Sequence, residues 1–279
     1  MAKRLVVLDF DGTCTDVEAE GIGFTEAVIK TLVTVTQHNE GDIRDLYERF
    51  ERRLHDEPGV HGMRYGDKIV APAMVDPYLR SGPIAKWVLE TCGIRTEPED
   101  ILLRLFIGPL YRYHYGFSST ALRPELEHFL ETLTEAGLPT VVVTNSDTTN
   151  VRRKLMTLQS ESARNLPIYG DARKFVLGDL LDVSELMHIP GLERPIYLRR
   201  PHYFAVLRDL LERYGIQSYD DVIVIGDIYE LDLALPDALG CHIGLMVNAH
   251  TPEYELQHLK YHPRSRVLYS LTEALNFIC

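Results

Sequence analysis

Near the start of the chain runs Leu5-Val6-Val7-Leu8-Asp9-Phe10-Asp11-Gly12-Thr13, and this stretch decides the fold. An apolar run that is cut off by a glycine turn is typical of a buried strand in a parallel sheet. Side chains two apart on an extended segment point the same way, so Asp9 and Asp11 face one spot just past the end of the strand. Open α/β sheets bind their ligands at that edge. Because neighbouring carboxylates repel each other, the pair indicates a cation or a shared proton.

Composition limits the classes of protein to which the chain can belong. Its 279 residues suffice for one large domain or two modest ones. The net charge of −12 has no basic block to offset it, which argues against nucleic acid or an anionic membrane as a partner. Four cysteines without a CxxC pair favour a reducing compartment. No segment approaches the ~20 apolar residues of a membrane helix. We therefore expect a cytoplasmic protein, whose oligomeric state the sequence does not indicate.

Further apolar runs that end in polar residues predict more strands. They lie at 140–144, 195–198 and 222–226, with additional candidates at 241–247 and 266–269. Helical patterns separate several of them, as at 124–136, which opens with proline and ends at Gly137. Strands that alternate with helices imply βαβ units. We expect an α/β fold whose core is a Rossmann-like, doubly wound parallel sheet.

One block interrupts this alternation. Between the first and second predicted strands there is no convincing buried strand, and four stretches have helical patterns: 26–36, 42–54, 85–91 and 98–115. A helical block of this size is an insertion domain rather than a crossover. We therefore predict a core formed by residues 1–15 and 121–279, and an all-helical inserted domain formed by residues 16–120.

Three more polar signals follow predicted strands at the same edge of the sheet. They are Thr144-Asn145, Arg199-Arg200 before Pro201, and Gly226-Asp227 with Asp232. The first offers a hydroxyl and helix-start N–H groups that suit an anion. The second offers a fixed cation, and the third further carboxylates. Each signal is weak alone, because threonine before a helix is usually a cap, but four in this order indicate one site.

The ordered motifs closely resemble those of the haloacid dehalogenase-like hydrolase superfamily. They are Asp-x-Asp-Gly-Thr, Thr-Asn, a basic residue before proline, and Gly-Asp-x-x-x-x-Asp. The helical block resembles the cap domain of the phosphatase branches, so the resemblance covers the whole chain. It implies a phosphatase that uses Mg²⁺ and an aspartyl-phosphate intermediate, with a small phosphorylated molecule as its substrate.

The resemblance also implies a role for each matching residue. Asp9 would attack phosphorus, and Asp11 would protonate the leaving oxygen and then deprotonate water. The phosphoryl group would be bound by Thr13, Thr144, Asn145 and Arg200. Magnesium would be held by Asp9, the Asp11 carbonyl, Asp227 and, directly or through water, Asp232. The metal prefers hard oxygen ligands and would screen the anionic nucleophile from the anionic substrate.

Two parts of the chain are harder to interpret. Lysine is the commoner residue at the basic position, where this chain offers Arg199 or Arg200, and we choose Arg200 because it directly precedes Pro201. Arginine can bind phosphate oxygens bidentately. Residues 160–194 are punctuated by glycine and proline, and only Lys174-Phe175-Val176-Leu177 resembles a strand. We expect a surface excursion there, with a functional loop as the alternative.

Other reactions and other classes of function compete with phosphatase activity. Dehalogenases attack carbon and need neither an aspartate at position 11 nor magnesium, so Asp11 favours phosphoryl chemistry. Phosphonate hydrolysis would need a cap lysine, and Lys30, Lys68 and Lys86 have no recognisable context. A sugar-phosphate mutase and a binding module without turnover both remain open. Residues of the insertion that could contact the leaving group are His55, His61, Arg64, Tyr65 and Asp67, although an ordinary helix connection also explains them.

Overall fold

The computed structural model describes residues 4–95 and 109–279. It divides into two compact units, which we name the core unit and the insertion unit. The core unit comprises Met1–Asp16, Arg64–Ala71 and Leu122–Cys279, and the insertion unit comprises Val17–Met63 and Pro72–Ala121. The boundaries predicted after residues 15 and 120 each lie one residue before a boundary of these units. Residues 64–71, predicted within the insertion, cluster with the core unit.

A parallel sheet forms the centre of the core unit. The strands in the described residues are Leu5–Leu8 (β1), Gly62–Tyr65 (β2), Lys68–Pro72 (β3), Thr140–Val143 (β4), Ile168–Tyr169 (β5), Leu186–Met187 (β6), Ile196–Tyr197 (β7), Val222–Gly226 (β8), His242–Met246 (β9) and Ser265–Leu268 (β10). Six of them are parallel, in the order β10-β9-β8-β1-β4-β5. Leu8 pairs with Ile225 of β8 and Val142 of β4, so the carboxyl ends of three strands lie level.

Both faces of this sheet are covered. Leu5 and Val7 of β1 belong to one apolar cluster, and Val6 and Leu8 belong to the other, as the two-residue period of a strand requires. The α-helices in the described residues of the core unit are Leu126–Glu135, Thr148–Leu155, Glu161–Asn165, Pro201–Tyr214, Ala234–Leu239, Glu253–Lys260 and Leu271–Ile278. The predicted Rossmann-like, doubly wound α/β core is therefore confirmed. None of the helices in the described residues has both the length and the apolar character needed to cross a membrane.

One predicted strand lies outside the main sheet. Residues 195–198 were expected beside the others, but β7 pairs antiparallel with β6 in a separate two-stranded sheet. The place next to β4 is taken by β5, which is only two residues long. A strand so short has no periodic pattern, which is why the sequence did not predict it.

The insertion is not wholly helical, so that prediction is wrong in one respect. Its described helices are Val17–Thr36, Glu40–Asp56, Pro77–Thr91 and Pro109–Tyr115, and the rest of the predicted helix at 98–115 lies outside the described residues. However, β2 and β3 form a two-stranded sheet within residues 62–72. The turn between them contains Gly66 with φ of 62°, and Gly-Asp between two short runs is a hairpin signal.

The turn after β8 is held by buried charged groups. Residues Tyr229–Leu233 form a π-helical turn, a rare conformation that is frequent at functional sites. The Glu230 carboxylate, which is fully buried, accepts two hydrogen bonds of 2.7 Å from the Arg194 guanidinium. The Tyr254 hydroxyl donates a third, of 2.8 Å. These contacts fix the segment that separates Asp227 from Asp232.

We expect Arg194→Ala to lower the free energy of unfolding by about 3 kcal/mol, because it leaves the Glu230 carboxylate buried without its charged partner. Arg213→Ala is the matched control, since the Arg213–Asp209 pair is 61% and 52% exposed and such pairs contribute about 0.5 kcal/mol. Urea denaturation measures both changes. Equal losses in the two variants would show that Arg194 does not stabilise this turn.

Candidate active site

Three carboxylates meet at the carboxyl edge of the sheet. Asp9 follows β1, Asp227 follows β8, and Asp232 lies on the π-helical turn. All three residues are buried, and one oxygen from each lies within 4.8 Å of the others. The structure therefore brings together three of the residues that the sequence indicated as metal ligands.

A lysine that the sequence analysis did not select offsets part of the charge of this cluster. The Lys174 ammonium donates hydrogen bonds to Asp9 Oδ1 at 2.7 Å and to Asp232 Oδ1 at 2.8 Å. Burial opposes its charge, but the Asp232 and Asp9 carboxylates prevail and raise the pKa of Lys174. The segment after β5, expected as a surface excursion, therefore carries a site residue. The signal in the sequence was that Lys174 is the only lysine of residues 160–194.

Arg200, predicted as the basic residue of the site, has a different place. Its guanidinium is fully buried and donates to three backbone carbonyl oxygens, those of Tyr197 at 3.0 Å, Lys174 at 2.8 Å and Val70 at 3.0 Å. Burial lowers the pKa of Arg200 to about 10. These bonds hold the backbone of Lys174, so Arg200 supports the loop that carries the lysine in contact with Asp9 and Asp232. Arg199, the alternative, pairs with Glu185 at 3.4 Å.

The cluster fits a divalent cation. Mg²⁺ prefers hard oxygen ligands, which Asp9, Asp227 and Asp232 supply at mutual distances within 4.8 Å. Gly12, with φ of 82°, leaves room for the carboxylate of Asp227, because a Cβ at that position would overlap it. Any residue with a side chain at position 12 would prevent this close approach of the Asp227 carboxylate to the backbone.

Asp11, predicted to act in proton transfer, lies beside β4 and the helix that follows it. Its Oδ2 accepts a hydrogen bond of 2.6 Å from the Ser146 hydroxyl, and its Oδ1 lies 3.0 Å from the Lys154 ammonium. Neither Ser146 nor Lys154 was selected from the sequence. Their contacts depend on how β4 and its helix lie against β1, which local patterns do not reveal.

The predicted phosphate-binding residues differ in what they contact. Thr144 is buried, and its hydroxyl oxygen accepts the Ser146 N–H at 3.1 Å. The Asn145 side-chain oxygen accepts the Lys174 N–H at 2.8 Å, so Asn145 helps to hold the loop that carries this lysine. Thr13 is also buried, and no hydrogen-bond partner of its hydroxyl is found among the described residues.

The first turn of the next helix is less open to an anion than the sequence suggested. Asp147 caps it, and Asp147 Oδ1 accepts the N–H groups of Thr149 at 2.8 Å and Asn150 at 3.2 Å.

The loop after β1 is held by a residue that the sequence did not indicate. The guanidinium of Arg123 donates to the carbonyls of Thr13 at 3.0 Å and Gly12 at 2.9 Å.

The candidate leaving-group residues separate into two environments. Tyr65 and Asp67 line a cavity of about 370 Å³ in the core unit, and Leu177 and Asp179, of the segment that follows Lys174, also line it. His61 lies in the insertion unit, where its ring packs edge-on against Trp87 at 4.7 Å. Packing therefore explains His61 without a role in binding.

The stability of the metal-free protein should depend on pH through Asp9. Burial raises the pKa of Asp9 from 3.8 to about 8, with Lys174 opposing this and Asp232 adding to it. A carboxyl with a raised folded-state pKa contributes stability that is complete below its unfolded pKa and is lost as the pH rises through its folded pKa. In EDTA, the free energy of unfolding should therefore fall between about pH 4 and pH 8 more steeply for the wild type than for Asp9→Asn. Urea denaturation at several pH values checks this, and parallel curves would contradict it.

Solved structures share the fold at low sequence identity. A predicted phosphoglycolate phosphatase from Haemophilus somnus 129PT is 13% identical, with 99% of this chain and 98% of that one covered and a TM-score of 0.56. The HAD-hydrolase YfnB from Bacillus subtilis, bound to magnesium, is 14% identical, with 100% and 99% covered and a TM-score of 0.54. A dehalogenase with an intermediate complex is 16% identical, with 99% and 97% covered and a TM-score of 0.50.

The sequence itself assigns the family. No curated protein matches the chain, but residues 3–236 match the family model described as "Hydrolase: haloacid dehalogenase-like hydrolase". That range covers most of the 279 residues and includes every carboxylate of the site. The chain therefore belongs to the haloacid dehalogenase-like hydrolase family.

Proposed function

We propose that this protein is a magnesium-dependent phosphatase that hydrolyses a small phosphorylated molecule through an aspartyl-phosphate. One observation carries the proposal: the buried Asp9 is grouped with Asp227, Asp232 and the Lys174 ammonium, while a second carboxylate, Asp11, follows two residues later. The cluster of Asp9, Asp227, Asp232 and Lys174 suits a nucleophile that must approach an anionic phosphate. Asp11 would transfer the proton.

The reaction needs two steps. A carboxylate oxygen of Asp9 forms a bond to phosphorus while the bond to the leaving oxygen breaks, and Asp11 gives its proton to that oxygen. Water then attacks the phosphorus of the aspartyl-phosphate, and Asp11 takes its proton. The Asp9–phosphorus bond breaks, which releases inorganic phosphate and restores the Asp9 carboxylate. Lys174 stays charged and offsets the negative charge around Asp9 in both steps.

A bound Mg²⁺ would supply positive charge to the phosphoryl oxygens and to the nucleophile. Asp9, Asp227 and Asp232 are the residues that would hold it. Lys174 already pairs with the carboxylates of Asp9 and Asp232. Two cations at one site would allow a dianionic phosphate to bind beside the Asp9 carboxylate.

The role of Asp11 favours this reaction over dehalogenation, which the shared fold does not exclude. A halide leaves without needing a proton, so an acid at this position would have no task there. An alkoxide leaving group requires one. The presence of Asp11 beside Asp9 therefore supports phosphate ester hydrolysis.

Release of p-nitrophenol from p-nitrophenyl phosphate tests the proposal. We expect turnover that requires Mg²⁺ and is abolished by EDTA, and we expect Asp9→Asn to lower kcat by at least about a thousandfold, because it removes the nucleophile and keeps its shape. Circular dichroism confirms that the variant is folded. No magnesium-dependent release by folded wild-type protein, with p-nitrophenyl phosphate and with a panel of phosphorylated metabolites, would favour a binding module.

The basic residue has its own test. Lys174→Met should lower kcat by at least about a hundredfold, since it removes a preorganised charge at the nucleophile. Arg199→Met is the matched control and should stay within about threefold of wild type, because Arg199 pairs with Glu185 on a partly exposed surface. The reverse ranking, with Arg199→Met inactive and Lys174→Met active, would contradict the assignment of Lys174.

A further inference from the structure

Asp11 is held from two sides by groups that the proposed reaction does not use. Lys154 Nζ lies 3.0 Å from Asp11 Oδ1, and Ser146 Oγ donates to Asp11 Oδ2 at 2.6 Å. A carboxyl whose two oxygens have separate donors cannot rotate about its terminal bond without losing one of them. The contacts therefore fix the plane of the group as well as its position.

Packing alone does not explain why a charged residue is buried at position 154. It is 6% exposed and lies on the helix Thr148–Leu155, whose buried positions otherwise include Val151 and Leu155. Burying an ammonium costs several kcal/mol, and an apolar side chain of similar volume is often as stable or more so. Packing alone would therefore favour methionine or leucine here.

The neighbouring basic residues of the same helix behave differently. Arg152 donates to the carbonyls of Arg164 and Leu166, and Arg153 is exposed. Of these three residues, Lys154 is the one whose side chain contacts Asp11. Its ammonium also lies 5.6 Å from the centre of the ring of Phe10, the residue between Asp9 and Asp11 in the sequence. Both contacts place its charge against the loop that carries Asp11.

We propose that Lys154 is a positioning residue which, with Ser146, orients the Asp11 carboxyl toward the leaving oxygen of the substrate. The inference rests on the proposed function, because it assigns Asp11 the role of proton donor. Proton transfer requires the two heavy atoms to approach within about 3 Å. A displacement of about 1 Å at a reacting group can cost on the order of a hundredfold in rate, so the two donors would set the efficiency of the acid.

The chemistry of the leaving group separates this role from a structural one. An alkoxide needs the proton from Asp11, whereas p-nitrophenolate leaves with little help. We therefore expect Lys154→Met to lower kcat/KM for an alkyl phosphate such as glycerol 3-phosphate by about thirtyfold or more, and that for p-nitrophenyl phosphate by less than about threefold. We use kcat/KM because it reports the step in which the leaving group departs and excludes the later hydrolysis that both substrates share.

Three further variants complete the experiment. Arg153→Met, one position away on the exposed face, should leave both substrates unaffected. Lys154→Arg keeps the charge and should recover most of the loss. In an Asp11→Asn background, Lys154→Met should cause no additional loss for the alkyl phosphate, because the group that it orients has been removed. Should Lys154→Met fail to fold, Ser146→Ala removes the other donor and should show the same selectivity for the alkyl phosphate.

Equal losses for the two substrates, or an unchanged alkyl rate in folded Lys154→Met, would overturn the inference while leaving the phosphatase proposal intact. If the wild-type protein hydrolyses neither phosphate, the proposed function fails instead. A crystal structure of Lys154→Met then decides the geometric part alone: the Asp11 carboxyl, with only Ser146 Oγ left as a donor, should turn out of its present plane. An unmoved Asp11 would overturn the inference whatever the activity.

Discussion

The structure depends on bringing buried carboxylates to one edge of a sheet and compensating their charge. Asp9, Asp227 and Asp232 are all buried, and their oxygens lie within 4.8 Å of one another. Carboxylates at such distances repel strongly in a medium of low dielectric. One fixed cation, Lys174, contacts two of them. The remaining negative charge suits a second cation.

Several backbone contacts hold the loops that meet here. Arg123 binds the carbonyls that follow β1, Asn145 binds the N–H of Lys174, and Arg200 binds the carbonyl of the same residue. In addition, the ion pair between Arg194 and Glu230 fixes the turn between Asp227 and Asp232. None of these six hydrogen bonds involves a carboxylate of the cluster. They set its geometry from outside, as a preorganised site requires.

The sequence predicted the parts of the site that follow clear strands. Asp9 and Asp227 come directly after the apolar runs of β1 and β8, and the parallel sheet then places them side by side. The sequence did not predict the place of Lys174, because β5 before it has only two residues. In addition, Asp171 and Arg173 adopt left-handed backbone conformations, which no sequence pattern indicates. We selected Arg200 as the basic residue of the site because it precedes Pro201, but its guanidinium donates hydrogen bonds to three backbone carbonyls. Which side chain reaches a site depends on the path of a loop, and periodicity carries no information on that path.

The measurement that tests this account most directly is the binding of Mg²⁺ to the wild-type protein, followed by isothermal titration calorimetry near pH 8. The charge of the cluster predicts one bound ion per chain, and it predicts that Asp227→Asn, which removes one carboxylate and keeps its shape, abolishes or greatly weakens the binding. A folded wild-type protein that binds no Mg²⁺, or an Asp227→Asn variant that binds it as tightly as the wild type, would contradict the account.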